Sequence, residues 1–283
     1  MHVMTKAFIV GHPIKHSRSP LIHGHWLERH GREGSYERLD ITPADFPDFV
    51  RTFAARGFAG GNVTIPHKEA AYLAVDRRTE RAERLKAVNT LWVENGLVWG
   101  DNTDVLGFMA HLDQSLGQDW EQAVDTAFVV GAGGAARAIV AGLQDRPIRR
   151  IVVTNRTAAK TEELIRDFAG GTVQLESIPW EKREEAVAVA DLIVNTTSLG
   201  MAGQPPLELD LARARQGAAV ADIVYVPLKT PLLAAAEARG LRIVDGLGML
   251  LHQAVPGFAR WFGVTPTVTP DLRAIVLADI GET

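Results

Sequence analysis

The sequence predicts an α/β protein with two domains, the second of which is built on a doubly wound parallel sheet. The chain has 283 residues, which is enough for two ordinary domains. Beyond about residue 105, short apolar runs alternate with helical patterns, and this β-α-β rhythm is typical of parallel sheets. Strands and helices also alternate in the first third, but residues 91–99 indicate an antiparallel hairpin because Asn95-Gly96 favours a tight turn.

Composition excludes several classes of function. A net charge of -4 and a pI of about 6.1 give no basic excess for nucleic-acid binding and no polybasic run for a membrane surface. No apolar stretch approaches the ~18 residues of a membrane helix. The absence of cysteine excludes disulfides, thiolate metal ligands and cysteine nucleophiles, and the histidines show no metal-ligand spacing. No signal peptide is visible in residues 1–11, so we expect a cytoplasmic protein that binds no metal, nucleic acid or membrane.

Glycine, proline and small polar residues divide the first third of the chain into elements. The predicted strands and extended segments lie at residues 7–10, 36–41 and 61–65. The first predicted helix has Ser19 as its N-cap and Pro20 in its first turn, and it stops at Gly31. Two more helices are predicted, one from Thr42-Pro43 to Gly57 and one that Pro66 opens.

The second pattern consists of apolar runs without alternation, as expected for strands buried on both faces. The predicted strands lie at residues 126–130, 151–154, 191–195, 219–224 and 241–244, with a helix after the first of them and another at 158–168. Helices are also predicted at residues 247–262 and 271–280, and periodicity alone does not assign them to either domain.

A glycine-rich turn follows the first strand of this second pattern. Gly131 permits the tight turn, Gly133 lets a ligand's pyrophosphate approach the backbone, and Ala136 is the small residue at which helix and strand pack closely. Backbone amides at the start of the helix then favour phosphate groups. The position between a buried strand and a helix predicts a dinucleotide site, while the alternative is a turn used for packing alone.

The end of the next strand distinguishes between the two nicotinamide cofactors. Enzymes that use NAD usually place an acidic residue there to bind the ribose 2′-hydroxyl. Here the strand ends in Thr154-Asn155-Arg156-Thr157, without an acid. Arg156 and Lys160 are suited to a 2′-phosphate, so the sequence predicts NADP. The alternative is that both are solvated surface cations.

Two polar clusters in the first third follow predicted strands. Ser17 and Ser19 stand two positions apart and are suited to a polyol or a carboxylate, although a turn residue and a helix cap are the simpler interpretation. Thr64 and Lys68 lie at the exit of another strand, where ligands of α/β sheets usually bind. An ordinary surface lysine is the alternative for Lys68.

A third cluster surrounds the boundary between the two patterns. Asn89 precedes the predicted hairpin, and Asp104 ends the segment that follows it. A carboxylate at a domain boundary is a candidate catalytic group, and N-capping of the next helix is the alternative.

Short polar motifs run in a fixed order along the whole chain. They are Ser17-Arg18-Ser19-Pro20, Asn62-Val63-Thr64-Ile65-Pro66-His67-Lys68, Ala87-Val88-Asn89-Thr90, Asp101-Asn102-Thr103-Asp104, the glycine loop, Asn155-Arg156-Thr157, Asn195-Thr196-Thr197, Gly200-Met201, Asp222-Ile223-Val224-Tyr225 and residues 245–253. In this order and spacing they resemble the shikimate dehydrogenase family. One departure is Ile22-His23-Gly24-His25, where relatives often carry His-Asn, and we expect it to affect packing more than chemistry.

The resemblance implies reduction of 3-dehydroshikimate to shikimate with NADPH, a step of the shikimate pathway toward chorismate and the aromatic amino acids. It implies that Lys68 and Asp104 are the catalytic pair. It also implies a substrate domain of residues 1–104 and 247–283, completed by the C-terminal helices, and a Rossmann-type NADP domain of residues 105–246. The implied substrate ligands are Ser17, Ser19, Thr64, Asn89, Tyr225 and Gln253, and the implied cofactor ligands are Gly131, Ala132, Gly133, Gly134, Ala135, Asn155, Arg156, Thr157, Lys160, Thr196 and Gly246.

Three other functions stay open at this point. A quinate/shikimate dehydrogenase of the same superfamily would differ in a few pocket residues, although the missing acid after the second strand weakens an NAD-linked catabolic role. A methylenetetrahydrofolate dehydrogenase shares the architecture and a lysine-based site, but its flat pterin suits the hydroxyl-rich set poorly. A non-catalytic homologue would not need Lys68 and Asp104. The sequence also leaves both a monomer and a homodimer open.

Overall fold

The computed structural model describes residues 4–281, which form two compact units. The first unit combines residues 4–104 with residues 251–281, and the second contains residues 105–250. Each unit contains one six-stranded sheet with helices, so the two-domain α/β fold predicted from the sequence is confirmed.

The first segment of the chain alternates strands with short helices. Its hairpin turns at Asn95 and Gly96, which both have positive φ angles as predicted. Its elements are β1 (Thr5–Gly11), α1 (Ser19–Arg29), β2 (Gly34–Asp40), α2 (Phe46–Thr52), β3 (Phe58–Val63), α3 (Lys68–Ala74), β4 (Arg77–Arg78), α4 (Glu80–Leu85), β5 (Thr90–Glu94) and β6 (Leu97–Asp101).

The six strands of this segment form a mixed sheet in the order β2-β1-β3-β5-β6-β4. β1 is parallel to β2 and β3, whereas β5 is antiparallel to β3 and β6. The amino end of β5 therefore lies beside the carboxyl ends of its neighbours, and Thr90 pairs with both Asn62 and Asp101. Residues that follow β1, β3 and β6, and those that precede β5, are brought to one edge of the sheet.

An aromatic cluster packs against this sheet. Phe8 in β1 is fully buried, and its ring lies 4.9 Å from Phe49, 5.4 Å from Phe53 and 5.3 Å from Phe58 between centroids. All three pairs meet edge to face, the arrangement that aromatic quadrupoles favour. Burial of each large apolar side chain contributes roughly 1.5–3 kcal/mol, so this cluster anchors β1 and β3 beneath the polar edge.

The second unit contains a fully parallel sheet in the order β12-β11-β10-β7-β8-β9. The chain moves outward from β7 to β9 and then returns to β10 on the other side of β7. The crevice between β7 and β10 is thus the topological switch point, where ligands of such sheets bind. The elements are α5 (Asp104–Leu116), β7 (Thr126–Val130), α6 (Gly134–Gln144), β8 (Arg150–Thr154), α7 (Ala158–Phe168), β9 (Gln174–Ser177), α8 (Arg183–Val187), β10 (Leu192–Asn195), β11 (Ala219–Asp222), α9 (Pro231–Ala238) and β12 (Arg242–Val244).

The chain closes with the helices α10 (Leu247–Phe262) and α11 (Pro270–Asp279). Within the first unit, Trp261 of α10 donates its indole N–H to the backbone oxygen of Leu91 over 2.9 Å. Thr269 caps α11, since its hydroxyl accepts the amide of Leu272 at 3.3 Å. In the part of the chain that the structure describes, no helix combines the length and apolarity needed to cross a bilayer.

The predicted start of α1 is corrected by the structure. Ser19 was expected to be the N-cap, but the helix already includes it and Arg18 occupies the cap position. The hydroxyl of Ser19 is instead buried, and its amide donates to Ser17 Oγ over 3.3 Å. Ser17 therefore shapes the turn, which frees the Ser19 hydroxyl for contacts inside the first unit.

Two further helices begin later than predicted. The helix expected from Thr42-Pro43 starts at Phe46, because Thr42 donates to Asp45 Oδ2 over 2.7 Å and stabilises a turn there. The helix expected to open at Pro66 starts at Lys68, since the amide of His67 donates to the oxygen of Thr64 at 2.9 Å and closes a separate turn.

Candidate active site

Lys68 and Asp104 form an ion pair at the polar edge of the first sheet. Lys68 Nζ lies 2.6 Å from Asp104 Oδ2, and the two side chains are 31 % and 14 % exposed. Lys68 is the first residue of α3, and its backbone oxygen accepts the amide of Val88 at 2.9 Å. The ammonium group is therefore held on a fixed backbone and still reaches solvent, as a group that exchanges protons must.

Asn89 holds the second oxygen of that carboxylate. Its Nδ2 donates to Asp104 Oδ1 over 2.8 Å, while its Oδ1 accepts the amide of Thr103 at 2.8 Å. An amide N–H can only donate, so the bond from Thr103 fixes which way the Asn89 side chain faces. Both oxygens of Asp104 thus have partners, and the carboxylate is oriented from two sides.

The predicted hydroxyl ligands lie on segments that reach the same edge. Ser17 and Ser19 occupy the turn after β1 and the first turn of α1, and Arg38 of β2 donates two hydrogen bonds to the oxygen of Ser17, at 3.0 and 2.8 Å. Thr64 follows β3 and is half-buried, with its amide bonded to Val10 at 2.9 Å. This edge brings a cation, a carboxylate and several hydroxyls together, which suits a polar, hydroxylated ligand.

His67 stabilises the backbone directly before Lys68. Its ring is 1 % exposed, stacks on Phe46 with centroids 4.3 Å apart, and hydrogen-bonds through Nε2 to the oxygen of Ile41 at 2.7 Å. Burial lowers the pKa of this imidazole below its usual value, so His67 is neutral near pH 7. Within residues 4–281, no group of three potential metal ligands comes together.

In the glycine loop of the second unit, packing requires one glycine, whereas two others face open space. Gly131 has a φ of +116°, and a Cβ there would collide with the hydroxyl of Thr196, so the fold itself requires glycine. At Gly133 and Gly134, in contrast, an added Cβ would have no described atom within 4 Å apart from the adjoining residues and the backbone of its own helix. The space beside these two glycines is open, as expected where a pyrophosphate approaches the backbone.

The start of α6 supplies the groups that such a phosphate needs. No side chain caps this helix, and its first backbone amides have no partners within the helix. Ala136 is fully buried against the sheet, which brings the helix start close to the end of β7. Unpaired amides, the helix dipole and open space together fit a dinucleotide phosphate, with Ala132 and Ala135 completing the turn.

Arg156 and Lys160 follow β8 and are exposed. Among the residues that the structure describes, neither side chain forms a hydrogen bond or ion pair. Asn155 stabilises the loop between them and the strand, since its Nδ2 donates to the oxygen of Thr157 at 3.0 Å. Arg156 on this loop and Lys160 in the first turn of α7 are two unpaired cations that fit a ribose 2′-phosphate.

The exit of β10 forms the other side of the switch point. Thr196 donates its hydroxyl to the oxygen of Val130 at 2.7 Å, and its amide bonds to the same oxygen at 2.8 Å. Asn195 donates to the backbone oxygen of Leu199 at 3.1 Å and to Asp222 Oδ1 at 3.0 Å. These bonds hold the loop after β10 beside the loop after β7.

Asp222 is a buried carboxylate that the sequence did not single out for a role. It is 1 % exposed and accepts hydrogen bonds from Asn195, the amide of Val224 and the hydroxyl of Thr230, at 3.0, 3.0 and 2.8 Å. Burial raises the pKa of this carboxyl group to about 6, because these donors only partly offset the lost hydration. Asp222 joins the loops that follow β10 and β11.

The remaining predicted residues lie at separate places within their own units. Tyr225 follows β11 and is half-buried in the second unit. Gly246 follows β12, where a Cβ would collide with the backbone of Ile223, so glycine is required for packing. Gln253 lies on α10 in the first unit and is half-buried. Their proposed ligand roles stay predictions.

Sequence reasoning missed three residues of the first unit that connect to the ion pair. Tyr36 donates to Asn62 Oδ1 over 2.6 Å, and Asn62 donates to Thr90 Oγ1 over 3.1 Å. Thr90 in turn donates to Asn89 Oδ1 over 2.9 Å. Asn62 and Thr90 each belong to one of the polar motifs of the sequence, and their strand positions could have identified them.

Comparison with known proteins identifies the family of this chain. Three family models match the chain: the shikimate dehydrogenase substrate binding domain at residues 9–91, shikimate / quinate 5-dehydrogenase at 113–203, and the shikimate 5′-dehydrogenase C-terminal domain at 246–275. A shikimate dehydrogenase (NADP(+)) from Methylobacterium radiotolerans is 60 % identical over 277 residues, which is 97 % of each chain. The chain belongs to the shikimate dehydrogenase (NADP+) family.

Solved structures in this family and its relatives share the fold. Shikimate 5-dehydrogenase from Thermus thermophilus, in complex with NADP(H) and shikimate, has a TM-score of 0.85 at 34 % identity and covers 97 % of this chain and 100 % of its own. Quinate dehydrogenase from Corynebacterium glutamicum, in complex with NAD, has a TM-score of 0.89 at 30 % identity and covers 97 % and 99 %. Fold alone does not separate these two activities.

Proposed function

We propose that this member of the shikimate dehydrogenase family catalyses the NADP-dependent, reversible reduction of 3-dehydroshikimate to shikimate. The observation that carries the proposal is the Lys68–Asp104 ion pair, which lies among hydroxyl and amide groups at one sheet edge in a chain of this family. The first unit would bind the substrate and the second the cofactor. The reaction belongs to the shikimate pathway, which supplies chorismate for the aromatic amino acids.

The second unit offers the groups that would hold NADP. Amides at the start of α6, reached past Gly133 and Gly134, would bind the pyrophosphate, and Arg156 with Lys160 would bind the 2′-phosphate. Asn155, Thr157, Thr196 and Gly246 complete the proposed set. When bound, NADPH supplies the hydride that the ketone carbon of 3-dehydroshikimate accepts.

Lys68 provides the proton in this proposal. Negative charge grows on the ketone oxygen as its carbon accepts the hydride, and an ammonium group beside that oxygen stabilises the transition state more than the ground state. Lys68 Nζ then donates a proton to the oxygen, which yields the hydroxyl of shikimate, and its partial exposure lets it recover a proton from solvent. Asp104 aims the ammonium and balances its charge.

Hydroxyl and amide side chains would orient the substrate ring. Ser17, Ser19, Thr64 and Asn89 reach the edge occupied by the ion pair, while Gln253 and Tyr225 are assigned to the substrate through the family resemblance. Polar groups built to bind hydroxyls reject analogues that lack them, because the buried partners would be left unpaired.

The direct test measures NADPH oxidation by the purified protein with 3-dehydroshikimate, and the reverse reaction with shikimate and NADP. We expect turnover in both directions. Parallel assays with quinate and either NAD or NADP examine the relation to the quinate dehydrogenase fold neighbour. A higher kcat/KM for quinate with NAD than for shikimate with NADP would overturn the proposal.

A further inference from the structure

The phenol group of Tyr36 lies at one end of a chain of hydrogen bonds in the first unit. Its hydroxyl donates to Asn62 Oδ1 over 2.6 Å. The ring stacks on His23, with centroids 3.9 Å apart and planes within 8° of each other, and Trp261 lies 6.0 Å away. These rings fix the position of the phenol oxygen.

The next bonds cross from β3 to β5. Asn62 is 3 % exposed, and its Nδ2 donates to Thr90 Oγ1 over 3.1 Å and to the oxygen of Asn89 over 3.2 Å. Thr90, also 3 % exposed, donates its hydroxyl to Asn89 Oδ1 over 2.9 Å. Thr103 Oγ1 lies 3.2 Å from Thr90 Oγ1 and donates to the same oxygen of Asn89 over 3.1 Å, so Thr90 and Thr103 hold Asn89 together.

The last bond ends on the proposed catalytic carboxylate. Asn89 Nδ2 donates to Asp104 Oδ1 over 2.8 Å, and Lys68 bonds to the other oxygen. Every donor from Tyr36 onward thus points toward Asp104. Hydrogen bonds aligned in one direction polarise one another, so each strengthens the next.

We propose that Tyr36 and Thr90 are positioning residues that hold the Asn89 amide against Asp104 and thereby fix the carboxylate that aims Lys68. This inference rests on the proposed proton transfer by the Lys68–Asp104 pair. Neither Tyr36 nor Thr90 needs to touch the substrate for this role.

The upstream groups do not titrate where the enzyme would be assayed. Burial lowers the pKa of His23, the ring stacked on Tyr36, to about 3, and burial raises the pKa of Tyr36 well above its usual value. Among the described hydrogen-bond partners of Asp104, Lys68 is the charged group. His23 and Tyr36 therefore keep their charge states between pH 5 and 9, and an effect of Tyr36→Phe in that range does not come from the titration of either ring.

The decisive experiment measures Thr90→Val alone and combined with Asp104→Ala, using wild-type protein and Asp104→Ala as references. In the wild-type background we expect kcat to fall about tenfold, because the buried Asn62 amide loses its hydroxyl partner and Asn89 Oδ1 keeps only its bonds from Thr103. KM for shikimate should change less than about threefold, and Thr90→Ser should restore most of kcat, since it keeps the hydroxyl. In the Asp104→Ala background, Thr90→Val should cost less than about twofold further.

Two controls separate positioning from folding. Tyr36→Phe should lower kcat in the same direction as Thr90→Val, whereas Tyr72→Phe removes an exposed phenol that bonds to Glu83 and should leave kcat unchanged. Melting temperatures identify a variant that simply unfolds. An equal loss from Thr90→Val in both backgrounds, or full activity of folded Thr90→Val, would overturn the proposal.

A measurement without turnover keeps this test independent of the proposed function. With ¹⁵N-labelled asparagine, the side-chain amide hydrogens of Asn89 should exchange with solvent faster in Thr90→Val than in the wild type, because Asn89 has lost one of its hydrogen bonds. Wild-type protein that does not reduce 3-dehydroshikimate would defeat the proposed function. Unchanged exchange at the Asn89 amide in folded Thr90→Val would defeat this inference.

Discussion

Lys68 Nζ and Asp104 Oδ2 lie 2.6 Å apart, although 36 positions separate the two residues in the chain. Replacement of Lys68 by Ala should lower kcat by at least ~10²-fold, the usual range for a general acid-base group. KM for shikimate should change far less, because the hydroxyl ligands are untouched. Steady-state kinetics in the direction of shikimate oxidation measure both constants.

The matched control is Lys229→Ala, which removes an exposed lysine whose ion pair with Glu237 lies in the second unit. Such surface pairs contribute little, so its kcat should stay within about twofold of the wild type. Removal of both Lys68 and Asp104 should cost much less than the product of the single losses, as for groups that act together. Near-normal kcat in Lys68→Ala would exclude lysine from the mechanism.

The second prediction concerns the choice of cofactor. Arg156→Ala should weaken NADPH use by roughly 1.5–3 kcal/mol in kcat/KM, the range for a hydrogen bond to a charged group. NADH lacks the phosphate and should be used as before. The preference of the wild type for NADPH should also shrink at high salt, because screening weakens exposed charge pairing. Kinetics with both cofactors at two ionic strengths measure these effects.

Arg149→Ala serves as the control for Arg156, since it removes an arginine that is 78 % exposed and pairs with Asp125 in the same unit. It should leave the ratio of NADPH to NADH use unchanged. Equal losses with NADPH and NADH in Arg156→Ala would mean that Arg156 does not recognise the phosphate.

The third prediction compares two glycines of the same loop. Gly131→Ala places a methyl group against Thr196 at a φ of +116°, so the free energy of unfolding should fall by about 1 kcal/mol or more. Gly133→Ala meets no described atom within 4 Å and should leave stability nearly unchanged, yet weaken NADP binding at least ~10-fold by filling the space of the pyrophosphate. Urea denaturation and calorimetric NADP titration measure the two effects. Unchanged NADP affinity in Gly133→Ala would show that the pyrophosphate does not bind at this loop.

The fourth prediction follows from the buried carboxyl group of Asp222. Its pKa is about 6 in the folded protein against 3.8 as the ordinary value, so its favourable contribution is full below pH 3.8 and lost as the pH rises through 6. At 1.36 kcal/mol per unit, the loss is about 3 kcal/mol at most. Relative to Asp222→Asn, which does not titrate, the wild type should therefore lose stability between pH 3.8 and about 6 and change little at higher pH.

Urea denaturation at several pH values measures this difference, and Asp210→Asn provides an exposed control at which no such trend is expected. A stability difference between wild type and Asp222→Asn that is flat from pH 4.5 to 7.5 would show that Asp222 keeps an ordinary pKa.

Much of the second unit could be predicted because its strands are buried on both faces. The predicted bounds of β7 and α7 agree with the structure, since Thr126–Val130 is wholly buried and α7 follows the strand it covers. β9 was missed because Gln174–Ser177 is an edge strand whose polar residues form no apolar run. α9 was also missed, although Thr230-Pro231 carries a cap signal that the structure uses.

In the first unit, individual candidate site residues could be identified from the sequence, but the hydrogen bonds between them could not. The sequence indicated Lys68 because it follows a predicted strand, and Asn89 because it lies in a polar motif directly before the predicted hairpin. It could not show that Tyr36, 26 positions from Asn62, donates to it, since this bond depends on the pairing of β1 with both β2 and β3. Register between distant strands is a tertiary property, which one sequence does not specify.

The discontinuity of the first unit has a consequence for synthesis on the ribosome. Residues 105–250 are contiguous and are synthesised before residues 251–281, whereas the bond from Trp261 to Leu91 joins positions 170 apart. At about 5–20 residues per second, the last 31 described residues take roughly 2–6 s to make. During that interval the backbone oxygen of Leu91 in β5 has no indole to accept from, so the first unit is completed only after α10 has been made.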